Sequence, residues 1–176
     1  MEKGLIQVYT GEGKGKTTAA VGQGIRALGR GNRVYMVQFL KSGPSGELEI
    51  IKRLEPDFKL FRFEKQRGFV WTLNEEQREE LKGEIRKGFE FIKMVLNNKE
   101  CDVLIIDEIM GVLSNKFLDV NEVVGVLKNK PESIEIIMTG RNVPEEIAEA
   151  ADYISDIKCV KHPLQKGIPA REGIEF

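Results

Sequence analysis

Leu5-Ile6-Gln7-Val8-Tyr9-Thr10-Gly11-Glu12-Gly13-Lys14-Gly15-Lys16-Thr17-Thr18 is the stretch that decides the fold. Its first five residues are a short, mainly apolar run that ends at once in glycines, which reads as a buried strand. From Thr17 the chain carries apolar positions at helical spacing as far as Leu28, and Gly29 and Gly31 stop the helix. A strand, a glycine-rich loop and a helix opening with Gly-Lys-Thr form a phosphate cradle. Glycine lets backbone N–H groups turn toward anionic oxygens. The helix aims the positive end of its dipole at the same place. The general pattern asks for Gly, four free positions, then Gly-Lys-Ser/Thr. Here Thr10 stands where the first Gly belongs and Gly11 follows one residue later, so the loop is a variant.

Each loop residue has an expected task. Gly11, Gly13 and Gly15 supply positive φ and inward N–H groups, with Glu12 between them. Lys14 faces phosphate. Lys16 is the point charge on the anion, and the Thr17 hydroxyl, followed by Thr18, is placed for Mg²⁺. The competing reading is a glycine-rich turn that only joins strand to helix. The flanking elements and the intact Gly-Lys-Thr weigh against it.

Working outward, further apolar runs predict strands at 34–39, 58–63, 103–106, 134–138 and 153–160. Leu48 to Leu54 reads as a short helix. Asn74 to Asn97 is a long helix, because Leu81, Ile85, Phe89, Ile92 and Leu96 recur every three or four residues. Val120 to Lys128 is helical, and so is the segment from Pro144 to about Ala151. Strands alternate with helices and are near-continuously apolar. The predicted fold is therefore α/β and P-loop NTPase-like: a mostly parallel sheet of five to six strands with helices on both faces, in one nucleotide-binding domain over residues 1–176. Ligands in such sheets bind beyond the carboxyl ends of the strands.

The residues that follow the strands are thus the candidates. Asp107-Glu108 ends a strand where a carboxylate would hold Mg²⁺, directly or through water; a helix N-cap by Asp107 is the alternative. Lys41 and Arg141 follow strands on the same edge and suit phosphate or ribose as well as solvent. Phe69 and Trp71 lie two apart in a glycine-flanked loop, as core anchors or as a ligand surface. His162, beside Pro163, is read as structural.

Composition sets the outer limits. Apolar residues make up 41% and charged residues 31% of the 176, with 27 Lys and Arg against 28 Asp and Glu. A formal net charge of −1 gives the chain as a whole no strong field to gather nucleic acid, which leaves room for a local basic patch. There is no signal-peptide pattern at Met1-Glu2-Lys3-Gly4 and no apolar run near the ~18 residues of a membrane span. The expectation is a cytoplasmic protein with no membrane partner. Cys101 and Cys159, far apart and without C-x-x-C spacing, are expected as reduced, partly buried thiols. With one His, two scattered Cys, and neither an arginine finger nor a water-positioning Gln, the sequence offers no acid–base or nucleophile set.

Taken together, Val8 to Ala20, Val37-Gln38-Phe39-Leu40-Lys41, Gly68-Phe69-Val70-Trp71, Ile106-Asp107-Glu108, Thr139-Gly140-Arg141, and Val160-Lys161-His162-Pro163 with Gly167-Ile168 resemble the P-loop type of ATP:corrinoid (cob(I)alamin) adenosyltransferase. The Thr10 variation belongs to that family pattern, and the likeness spans nearly the whole chain in the family's order. The aromatic segment is slightly altered, and the chain as written starts at its first strand, without the extension some members carry over the corrinoid.

The resemblance implies transfer of the 5′-deoxyadenosyl group of ATP to reduced cobalt, with release of triphosphate. Cobalt(I) is itself the nucleophile, so no protein base is required. It implies ATP as co-substrate, lying in reversed sense in the loop, and Mg²⁺ and a corrinoid substrate. It implies an electron-donating flavoprotein as partner and a homodimer. It makes Lys16, Phe69 and Trp71 catalytic, the aromatics by packing on the corrin and excluding its lower axial ligand. The rivals are a P-loop ATPase or kinase that breaks the terminal phosphoanhydride, and a non-catalytic ATP sensor.

Overall fold

The computed structural model describes residues 2–41 and 43–175. Six strands form a sheet: β1 Ile6–Thr10, β2 Val34–Gln38, β3 Phe58–Phe61, β4 Val103–Asp107, β5 Glu135–Thr139 and β6 Tyr153–Asp156. Their order is β3-β2-β4-β5-β1-β6, and every pairing is parallel. The helices are α1 Lys16–Leu28, α2 Gly46–Arg53, α3 Glu75–Asn98, α4 Ile109–Ser114, α5 Val120–Lys128 and α6 Glu145–Ala150. Parallel strands need long crossovers, and the helices supply them.

Side chains alternate across the pleat and feed two cores. Val103 and Ile105 of β4 pack with Ala20, Val21 and Ala27 of α1 and Ile51 of α2. Leu104 and Ile106 point the other way, to Leu81, Ile85, Phe89 and Ile92 of α3 and to residues of α4 and α5. A central strand covered on both faces has no reason to alternate in polarity, which is why it reads as an unbroken apolar run.

The long helix α3 begins with a reciprocal cap. The Gln77 N–H donates to Asn74 Oδ1 at 2.9 Å, and the Asn74 N–H donates to Gln77 Oε1 at 3.0 Å. Its buried stripe runs from Leu81 to Leu96, and Lys99 at φ 53 ends it. Each fully buried apolar side chain there stabilises by about 1.5–3 kcal/mol relative to exposure. Phe89→Ala would cost about 3–5 kcal/mol.

Three elements depart from expectation. Helix α4 falls where no element was expected, because six apolar and small residues are too few to display a period. Strand β3 stops at Phe61 rather than 63, and β6 stops at Asp156 rather than 160. Strand β6 is an edge that is open rather than covered, with Tyr153 and Ile154 exposed. Among the described residues no helix is long and apolar enough to cross a membrane. Cys101 is buried, and desolvation pushes its thiol up to about 12, but Cys159 is exposed rather than partly buried.

The register brings the ends of the inner strands together. Gln38 lies beside Asp107, Ile106 beside Met138, and Tyr9 beside Thr139. The residues that close β2, β4, β5 and β1 therefore form one row, and the glycine-rich loop leaves from its end.

Candidate functional site at the carboxyl edge of the sheet

Gly11 and Gly15 take φ of 104 and 115, so both need a residue without a Cβ. Gly13 departs from its expected task. It does not have positive φ, and its N–H donates to the Ile157 carbonyl at 2.7 Å instead of facing an anion. A Cβ at Gly13 would sit 2.6 Å from that same carbonyl. Gly13 is small because the segment leaving β6 runs against the loop. Thr10 joins the same seam, its carbonyl accepting the Ile157 N–H at 2.8 Å.

The Lys16 ammonium folds back on the loop and donates to the carbonyls of Gly11 and Gly13, at 2.6 and 2.9 Å. Burial, and then the charge of Arg141, hold its pKa below the ordinary lysine value. An anion entering the loop would offset both effects by favouring the charged ammonium. The cleft over the loop measures about 590 Å³ and is lined by Gly13 to Thr18, Lys41 and Arg141. Lys14 and Thr18 are exposed on its wall, and Glu12 pairs with Arg141 at 3.3 Å.

Asp107 is fully buried and has both oxygens engaged. Its Oδ1 accepts from Thr17 Oγ1 at 2.9 Å and from Thr139 Oγ1 at 2.6 Å. Its Oδ2 accepts from Gln38 Nε2 at 2.8 Å and from Lys41 Nζ at 3.1 Å. Lys41 Nζ also donates to Thr17 Oγ1 at 2.9 Å. A hydroxyl and a carboxylate thus converge on one positive charge. Hard oxygen donors around a cation suit Mg²⁺, which takes one or two carboxylates with water and phosphate. Behind this cluster Arg62 fixes the Gln38 amide, donating from Nε to Oε1 at 2.7 Å and also from NH2 to the same oxygen.

A second cleft of about 730 Å³ opens beside the first. Phe69 and Trp71 line it, 68% and 78% exposed, with rings stacked at 4.5 Å and 5° across the 3₁₀ turn Val70–Thr72. They are not core anchors, and the turn places them face to face rather than side by side on an extended strand. Lys41, Glu47, Arg141 and Glu175 line both clefts.

A family model for ATP:corrinoid adenosyltransferases BtuR/CobO/CobP matches residues 2–176. The chain belongs to this family. It is 35% identical over 176 residues to the corrinoid adenosyltransferase of Escherichia coli, covering 99% of this chain and 87% of that one. It is 37% identical over 177 residues to a corrinoid adenosyltransferase of Sinorhizobium sp, covering 99% and 81%. It is 33% identical over 176 residues to the corrinoid adenosyltransferase CobA of Salmonella typhimurium, covering 99% and 87%. Among solved structures, the flagellar accessory protein FlaH of Methanocaldococcus jannaschii shares the fold with a TM-score of 0.60. That likeness is 18% identical and covers 89% of this chain and 72% of FlaH, so it speaks for fold alone.

Within this adenosyltransferase family member, the two acids at the end of β4 part company. Asp107 turns to Thr17, while Glu108, in left-handed conformation at φ 61, lines the aromatic cleft. Burial, and next the charge of Asp107, raise the Glu108 pKa, opposed by Lys41, Lys16 and Arg141. His162 accepts the Leu164 N–H at 3.2 Å and also lines the phosphate cleft, a place that fits a structural residue and a site residue alike. Sequence reasoning missed Gln38 and Arg62 as site residues. The visible signal was a glutamine closing an otherwise apolar strand.

Proposed function

We propose that the chain transfers the 5′-deoxyadenosyl group of ATP to the reduced cobalt of a corrinoid and releases triphosphate. The observation that carries this reading is the shared wall of the two clefts. A glycine-rich phosphate loop and an exposed aromatic pair face spaces that meet at Lys41 and Arg141. A hydrolase needs the first space only.

Cobalt(I) attacks the 5′ carbon, the cobalt–carbon bond forms, and the carbon–oxygen bond to triphosphate breaks. The protein then has two tasks: to hold the partners in line, and to stabilise charge on the leaving group. Lys16, released from its carbonyl contacts, neutralises the triphosphate together with the N-terminus of α1. Thr17 and Asp107 would hold Mg²⁺, which supplies further neutralisation of the leaving phosphates. Lys41 competes with the metal for the same two oxygens, so metal loading turns its charge toward the phosphates. Phe69 and Trp71 take the corrinoid and keep an axial ligand from its lower side, which favours reduction to cobalt(I). Glu108 lines the aromatic cleft, under the influence of the three cations Lys41, Lys16 and Arg141. The reading brings with it, from the family resemblance, an electron-donating flavoprotein, a homodimer and a single nucleotide-binding domain.

The test is to mix the protein with Mg·ATP and chemically reduced cobalamin. A light-sensitive adenosyl product with stoichiometric triphosphate is expected. ADP and phosphate, or no product, would overturn the reading.

A further inference from the structure

Glu64 lies outside the motifs described so far. It follows β3, on the segment that goes on to carry Phe69 and Trp71, and it lines the aromatic cleft. Its two carboxylate oxygens accept the Leu40 N–H, at 3.0 and 2.9 Å. Leu40 has φ 54, a left-handed conformation that a side chain of its kind rarely adopts. The next residue is Lys41, whose ammonium lies on Thr17 and Asp107. One carboxylate on the aromatic segment therefore holds the backbone turn from which the cation of the phosphate cleft projects.

Lys41, Glu47, Glu108, Arg141 and Glu175 line the same cleft, and three nearer charges act most on Glu64. Arg62 and Arg67 belong to its own segment, and Glu84 comes from α3. Glu84 is held by Arg67 at 2.5 Å and accepts the Lys65 N–H at 3.2 Å. Arg62 is turned away to Gln38, to the Gly43 carbonyl and to Ser45. Burial pushes the Glu64 carboxyl up to about 7. Glu84 adds to the rise, and the Leu40 N–H, Arg67 and Arg62 oppose it.

We propose that Glu64 is a positioning residue for adenosyl transfer: by holding the Leu40 N–H it fixes Lys41 at Thr17 and Asp107, and so links the aromatic cleft to the triphosphate site. The inference rests on the two-cleft reading above. An ionised carboxylate accepts a hydrogen bond more strongly than a neutral carboxyl. Protonation therefore loosens Leu40 and lets Lys41 drift. No proton passes between Glu64 and substrate.

The experiment follows adenosyl product from Mg·ATP and chemically reduced cobalamin between pH 6 and 9, for wild type, Glu64→Gln, Glu64→Ala, Lys41→Met and the Glu64→Ala/Lys41→Met double variant. Wild type should lose rate on the acid side of about 7. Glu64→Gln keeps an acceptor for Leu40 but cannot ionise, so it should show no such limb and retain a flat rate about tenfold below the wild-type plateau. Glu64→Ala should raise the KM for Mg·ATP severalfold and leave the KM for corrinoid unchanged. Because Glu64 acts through Lys41, the double variant should be no slower than Lys41→Met by more than about twofold. An active wild type whose Glu64→Gln variant keeps the acid limb, or a double variant in which the losses multiply, would overturn this inference alone. A wild type that forms no adenosyl product would overturn the functional reading and this inference with it. Poor folding of Glu64→Ala leaves the Gln variant and its pH profile to decide.

Discussion

On the proposed reading, replacing Phe69 or Trp71 by Ala should separate the reduction of cobalt from the displacement of triphosphate. Removing a fully buried Phe or Trp costs about 3–5 kcal/mol. These two side chains are 68% and 78% exposed, so roughly a third and a fifth of that cost applies. Each substitution should then cost about 1 kcal/mol, and for a chain of 176 residues the melting temperature should fall by about 2–4 °C. The effect on reaction should be larger, because on the proposed reading the rings become buried when corrinoid arrives. Burial of one such side chain is worth about 1.5–3 kcal/mol, or roughly 10- to 100-fold in rate. The assay supplies cob(II)alamin with a mild reductant in one arm and chemically prepared cob(I)alamin in the other. The first arm should lose the full factor and the second only a small part of it. Equal losses in both arms, or melting more than about 10 °C early, would mean that the aromatics do not act on the coordination of cobalt.

Four further outcomes follow from the site. Lys16→Ala removes the ammonium now held by Gly11 and Gly13, and Mg·ATP turnover should fall by about 10²–10³; near wild-type turnover would refute the phosphate assignment. Asp107→Asn should raise the Mg²⁺ concentration needed for half-maximal rate far more than Glu108→Gln, since Asp107 touches Thr17 and Glu108 faces the aromatic cleft; metal titrations in the opposite order would exchange their roles. Gly13→Ala drives a Cβ into the Ile157 carbonyl, so it should weaken Mg·ATP binding and lower the melting temperature together; a silent variant would show that the seam yields freely. Glu64 bears on stability through pH. Its folded pKa of about 7 lies above the ordinary 4.5, so its contribution is complete below about 4.5 and is lost as pH rises through about 7. Glu64→Gln should therefore gain on wild type across that window in denaturant unfolding, by at most about 3 kcal/mol at pH 8; a constant difference at every pH would contradict the buried charge.

The fold was legible because its strands are buried on both faces and its loop is punctuated by glycine. Both are local signals, and β1, β2, β4 and β5 match their apolar runs to within a residue or two. The failures have local causes as well. Helix α4 is one and a half turns of Ile, Met, Gly, Val, Leu and Ser, indistinguishable by period from the strand before it. Strand β6 carries apolar residues although it is an exposed edge, so apolarity misjudged both its length and its burial. In the candidate site, Lys16, Thr17 and the Asp107-Glu108 pair were readable from spacing, but not which of the two acids turns to Thr17. What spacing could not give is contact between distant segments. The use of the Gly13 N–H depends on Ile157, the orientation of Gln38 depends on Arg62, and the grip on Leu40 depends on Glu64. Arg62 and Glu64 come from the segment after β3, and Ile157 from the segment after β6.

The strand order also sets a timetable. Strand β1 is the first to be synthesised, yet its neighbours are β5 and β6, so Ile6 waits for Ile136 and Gln7 waits for Tyr153. At ordinary rates of translation that delay is on the order of ten seconds. Strands β2, β3 and β4 can pair meanwhile, leaving a nascent half-sheet whose β4 edge is open and whose apolar first strand is unmoored. The phosphate loop hangs from that strand, so it acquires its shape only when the last third of the chain has emerged. On the proposed reading, ATP therefore cannot template the early steps of assembly: it would bind only the finished sheet and draw the equilibrium toward the state in which β1 is seated.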